Sequence, residues 1–163
     1  MGLARFAKRA QAVVRLEGAV EILLAGDATL QRLNRHFRGK DKATDVLSFP
    51  AAKEFGEGHA GDLAISLQTA QRQAEEHGHS LDDEVRVLLL HGLLHLAGMD
   101  HEVDAGEMAA REAELRITLK LPVGLIGRTG KTTAKALNAK GAKGKRNGRD
   151  GTARHRKTLR VAV

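Results

Sequence analysis

The chain has 163 residues, a net charge of +7, 2% aromatic residues and no cysteine. That length suits one domain with a real core. The missing cysteine excludes disulfides and thiolate metal sites, and no apolar run is long enough to span a bilayer. The charge divides unevenly: residues 122–163 hold twelve Lys or Arg against Asp150 alone, +11, whereas residues 1–121 come to −4.

Met1 to Phe6 lack the apolar core of a signal peptide, and Phe6 stands where a myristoylation signal has Ser or Thr. A cytoplasmic protein without a membrane partner is the expectation. Residues 4–16 then place Phe6, Ala7, Ala10, Val13 and Val14 at helical spacing. Ala19–Ala25 reads as a strand. Asp27 is placed to N-cap a second helix with Leu30, Leu33, Asn34 and Phe37 inward. Gly39 to Lys42 breaks it.

Asp45 to Phe49 reads as a short strand stopped by Pro50, and a Gly-rich loop at 56–61 leads to another at Asp62 to Ser66. Gln68 to His77 has helical spacing. Ser80-Leu81-Asp82-Asp83 is a capping sequence for a long apolar helix, and Asp104 to Leu121 is a last amphipathic helix. The order predicts a small mixed β-sheet covered by about five helices, an α+β (mixed α/β) domain over residues 1–121.

Residues 122–163, rich in Gly, Ala, Thr and Lys, have too little apolar surface to offset the entropy of ordering. They are predicted to be a disordered basic tail. Such a tail attracts RNA nonspecifically by neutralising phosphates, though it lacks aromatics to stack on bases. A merely solubilising extension is the plainer reading of the same charge.

The long helix carries the chemistry. His91, His95 and His101 stand at offsets of four and six, with Gly98 between the last two. Residues four apart share a helix face, and Gly98 can take a left-handed conformation that swings His101 back toward the pair. A lone histidine on an apolar helix is usually a hydrogen-bonded core residue. Three with a helix-stopping glycine among them point instead to a metal site, and three imidazoles with an open position make a catalytic zinc centre. One Zn2+ per chain is the expectation. Asp45, Asp62 and Asp100 are candidates to orient the imidazoles, and equally candidate turn residues. Ser48 and Asn34 are ambiguous.

The spacing His-x3-His-x2-Gly-x2-His is also that of metzincin-like metalloproteases, whose general base is a glutamate after the first histidine. Here that position is Gly92, which has no acid function.

Three segments together resemble the YbeY family, bacterial rRNA maturation factors described as zinc-dependent, single-strand-specific endoribonucleases. They are Leu33 to Pro50 (with Asn34-Arg35-His36-Phe37-Arg38-Gly39 and Asp45-Val46-Leu47-Ser48-Phe49), Gly61 to Ile65, and the histidine segment. The resemblance implies zinc on His91, His95 and His101, and an essential catalytic arginine at Arg38. It also implies action on single-stranded RNA in 16S rRNA 3′-end maturation and ribosome quality control, with the small ribosomal subunit and assembly proteins as partners. By the same resemblance, Arg38 would stabilise charge on phosphoryl oxygens; water and the 2′-hydroxyl both remain open as nucleophile. The family usually has a strand before its first helix, whereas this chain opens on the helix, and the basic tail is outside the common core. A noncatalytic ribosome-assembly factor with a structural zinc is a further alternative.

Overall fold

Apolar residues at helical spacing produce α1 (Leu3–Val14), which buries Phe6, Ala7 and Ala10. The computed structural model describes residues 2–52, 58–101 and 103–123, with the backbone of Leu159–Ala162. After α1 come β1 (Ala19–Ala25), α2 (Asp27–Arg38), β2 (Val46–Pro50) and β3 (His59–Ser66). Then follow α3 (Leu67–His77), α4 (Leu81–Leu96), α5 (Glu107–Leu119) and β4 (Leu159–Ala162). The fold is the expected small mixed sheet with five helices.

The sheet order is β2-β3-β1-β4. β1 and β3 run parallel, while β2 against β3 and β4 against β1 are antiparallel. β3 starts earlier than its apolar run suggests, because pairing with β1 already begins at Ala19 opposite His59. Pro50 ends β2 inside the ladder, opposite Gly61. A proline is tolerated there because β2 is an edge strand. Gly61 has φ +142°, and a Cβ on it would lie 2.4 Å from the Phe49 carbonyl oxygen, so glycine alone fits this crossing.

The sheet is covered on both faces. Val20, Ile22, Leu24, Leu63 and Ile65 join Phe6, Ala10, Leu88, Leu89, Leu93, Met108 and Leu115 in the larger core. The alternate residues Leu23, Ala25, Leu47, Ala64 and Phe49 pack with Leu30 and Leu33 of α2 in a smaller one. This is period-two alternation of a strand used on both sides.

Three sequence expectations change. Asp27 is not the N-cap of α2: Gly26 holds that place without a side-chain cap. The Asp27 carboxylate instead accepts hydrogen bonds from Ser66, Thr69 and Arg72, tying α2 to the β3–α3 junction. Phe37 does not face inward but is 60% exposed. Leu159–Ala162 is a strand within the stretch expected to be disordered, and it pairs with Glu21–Leu24. An open β1 edge presents unpaired backbone donors and acceptors, which such a strand satisfies. Residues 124–158 and Val163 lie outside the described residues, as do residues 56 and 57 of the expected Gly-rich loop, whose His59, Ala60 and Gly61 instead open β3.

Asp45 anchors the start of β2. One carboxylate oxygen accepts from Val46 N (2.8 Å) and Thr44 Oγ1 (3.1 Å), the other from Gln73 Nε2 of α3 (3.0 Å). Burial alone would raise its pKa. The bonds from Gln73, Val46 and Thr44 outweigh that and hold the carboxyl below its ordinary value. Its contribution is therefore fully present above the unfolded carboxylate pKa and is lost as pH falls through that value toward the lower folded one. Asp45→Asn is expected to lower stability by about 1–3 kcal/mol at neutral pH. Denaturant midpoints at neutral and acidic pH should converge between the two proteins as pH falls; a constant gap would refute the assignment.

Candidate metal centre

Helix α4 starts where the sequence places its cap: Ser80 Oγ accepts from Asp83 N at 3.1 Å. Its apolar residues are buried nearly all round, including Val85, Val87, Leu88, Leu89, Leu90, Leu93 and Leu94. An imidazole on such a helix needs a partner for each ring nitrogen. The helix stops as expected. Gly98 takes φ +86°, its N–H donates to the His95 carbonyl, and Met99 N–H donates to that of Leu94. The following turn returns His101, so the three rings stand 4.8, 5.4 and 5.2 Å apart by centroid. One donor nitrogen from each lies within 4.8 Å of the other two, a group that could hold a metal ion.

The support of these rings comes from α5. His91 Nδ1 lies 2.8 Å from Glu112 Oε2. The other Glu112 oxygen accepts from Arg116, one turn on and 8% exposed. Burial would raise the Glu112 pKa, but the bond from His91 and the charge of Arg116 prevail and keep the carboxylate ionised. An ionised Glu112 accepts, so His91 donates through Nδ1 and turns Nε2 inward. His95 is held from behind by the Met99 backbone. Its pKa lies below the ordinary histidine value, first through burial and then through His91 and His101, which together exceed the opposing effect of Asp100. It is neutral at physiological pH, the form that ligates.

The two inward Nε2 atoms are 3.1 Å apart. Two lone pairs that close repel unless a proton or a cation stands between them. Metal–nitrogen distances of about 2.0–2.1 Å place tetrahedral ligands about 3.4 Å apart. The donor set and its spacing fit a zinc-class cation, with exposed His101 on the solvent side.

Of the other residues singled out in the sequence, Asp100 lies near enough to act on His95 electrostatically. Asp45 is the β2 anchor, and Asp62 pairs with His59 at 3.2 Å. Asn34 is buried and donates to the Lys42 carbonyl at 2.8 Å, shaping the α2–β2 connection. Ser48 Oγ donates to the Gly92 carbonyl at 3.3 Å, fixing β2 against α4. Its neighbour Phe49 points to the opposite face and meets Phe37 at 5.0 Å between centroids. β2 thus separates α4 from the end of α2, where Arg38 is exposed and hydrogen-bonded to none of the three histidines.

Gly92 is held by packing. A Cβ there would lie 2.8 Å from Leu63 Cδ2, so a longer side chain requires that core leucine to move. Glu112 is the residue that sequence reading missed. Its one signal is the Glu112/Arg116 pair at i, i+4 on a helix that also buries Met108 and Leu115.

A family model described as Endoribonuclease YbeY matches residues 3–121. A relative named Endoribonuclease YbeY from Koribacter versatilis is 56% identical over 127 residues, covering 78% of this chain and 82% of its own length. One of the same name from Helicobacter pylori is 45% identical over 109 residues, covering 67% of this chain and 77% of its own. Among solved structures, the solution structure of a Thermotoga maritima protein matches with a TM-score of 0.52 at 27% identity. That match covers 72% of this chain and 80% of the other.

Glu112→Gln is expected to weaken zinc binding by about 10–100-fold while leaving the fold intact, read by chelator competition and circular dichroism. Because ligation needs neutral imidazoles, occupancy should fall as pH is lowered, protons competing with the cation for the three rings. Unchanged affinity in the variant would remove Glu112 from the site.

Proposed function

Since the chain belongs to the endoribonuclease YbeY family, an endoribonuclease role is supported, and we propose that it cleaves single-stranded RNA at a zinc centre held by His91, His95 and His101. The observation that carries this reading is the convergence of the three histidines, with donor atoms within 4.8 Å, in a chain of that family. When bound, zinc lowers the pKa of its water toward neutrality and polarises a phosphoryl oxygen.

The chain's own residues divide the remaining work. Glu112 and the Met99 backbone orient the ligand rings. A phosphodiester gathers negative charge on its non-bridging oxygens as it reacts, and the fixed fork of the Arg38 guanidinium suits that charge. The end of α2 presents Arg32, Arg35, His36 and Arg38 beside exposed Phe37, with Lys40 and Lys42 following. Cations there meet phosphates and an exposed ring meets a base, the usual composition of a single-strand surface. RNA laid across the β2 edge would touch this surface on one side and the histidines on the other. Maturation of the 16S rRNA 3′ end and ribosome quality control in the cytoplasm, with ribosomal and assembly proteins as partners, belong to the same proposal. So does nonspecific RNA attraction by the basic tail.

A protease reading loses support at Gly92, where no acid is present and a side chain would have to displace Leu63. No helix among the described residues is long and apolar enough to cross a membrane.

Purified protein should cut a single-stranded RNA and spare its duplex form, with His91→Ala and Arg38→Ala each losing cleavage while remaining folded. Full cleavage by both variants would end the proposal, whereas a folded wild type that binds RNA without cutting it would favour the noncatalytic reading. Phe37→Ala should weaken single-strand binding by about 1–3 kcal/mol in a fluorescence titration. Unchanged binding would show that the ring does not stack.

A further inference from the structure

A second group of metal-ligating side chains lies at the other end of α4. Gly78 ends α3 with φ +70°, and its N–H and that of His79 return to the last turn of that helix. This left-handed step turns the chain back, so His77 and His79 stack face to face, 5.6 Å between centroids and 21° between planes. Both face Glu84 in the first turns of α4. His79 Nε2 is 2.5 Å and His77 Nδ1 3.8 Å from the same carboxylate oxygen, Glu84 Oε2.

Glu84 is fully buried, His79 is mostly covered and His77 opens to solvent. A carboxylate taken out of water needs compensating positive charge as well as hydrogen bonds. An imidazole nitrogen pointing at an oxygen is either carrying a proton or sharing a cation. The three donor atoms lie within 4.8 Å of one another. The spacing of about 3.4 Å expected for tetrahedral ligands falls between the two measured nitrogen–oxygen distances. Small rotations of the rings therefore bring all three onto one ion, and the exposed edge of His77 supplies an entry path.

We propose that His77, His79 and Glu84 form a second binding site for a zinc-class divalent cation, one that clasps the end of α3 to the start of α4. Two nitrogens and one carboxylate oxygen suit zinc and its neighbours better than calcium or magnesium, which take oxygen ligands. Glu84 and His91 are seven positions apart, so the two groups lie on nearly the same face of α4, about 10 Å apart along its axis. The clasp does not depend on the nuclease reading.

The test is zinc stoichiometry and thermal stability of the full chain, with Zn2+ alone as the probe. The wild type should take two equivalents, and both His77→Ala/His79→Ala and His91→Ala/His95→Ala should take one. The melting temperature of the His91→Ala/His95→Ala protein should still rise with Zn2+, and adding the His77→Ala/His79→Ala changes should abolish that rise. One equivalent in the wild type, with none and no thermal shift in the His91→Ala/His95→Ala protein, would overturn the clasp and leave the first site standing. RNA cleavage by His77→Ala/His79→Ala should stay at the wild-type level, so failure of the nuclease reading is separately visible.

Discussion

The larger core of the described residues is built around a helix that carries polar side chains yet has almost no solvent face. Helix α4 buries ten of its sixteen residues, yet it carries Glu84, His91 and His95. Removing an imidazole or carboxylate from water without a partner costs several times what a surface contact returns. Each therefore forces a commitment on a neighbouring element. His91 pairs with Glu112 on α5, Glu112 with Arg116, and Glu84 with His77 at the end of α3 and His79 just after it. The positions of α3 and α5 against α4 follow from these pairings as much as from apolar packing.

The edge strand β2 supplies the second constraint. Because a strand presents successive residues to opposite faces, Ser48 fixes the histidine-bearing helix on one side while Phe49 meets Phe37 at the end of α2 on the other. Gly61 lets β3 pass close to β2 at that edge, and Gly92 lets α4 approach Leu63 of β3. Two glycines thus set how near the histidines come to the sheet. Gly92, which lacks the acid a metzincin-like protease has at that position, is the same residue that permits this close packing.

Most of the fold was legible because periodicity reports burial directly. Five helices and three of the strands sit where apolar spacing and turn residues put them, and Ser80 and Gly98 mark the start and end of α4 as their chemistry dictates. Local propensity misled at Asp27, whose carboxylate is more useful bridging to Ser66, Thr69 and Arg72 than capping its own helix. Helical phase misled in part at Phe37, whose ring meets Phe49 on the β2 edge yet stays 60% exposed. The short strand Leu159–Ala162 has too weak a local signal to distinguish it from its surroundings and is defined by its pairing with β1.

What the sequence determined by itself was the donor set: three histidines at offsets that a helix and a left-handed glycine bring to one point, with no cysteine to compete and no acid at position 92. Those are consequences of local geometry, which spacing encodes. Tertiary structure decided which nitrogens face inward, through Glu112 and Met99, and which carboxylates stand beside imidazoles. It chose Glu112 over the candidates Asp45 and Asp62, and it joined His77 and His79 to Glu84. Such pairings arise when separate elements pack, and the cost of leaving a buried polar atom unmatched selects among them. No spacing along the chain records that selection.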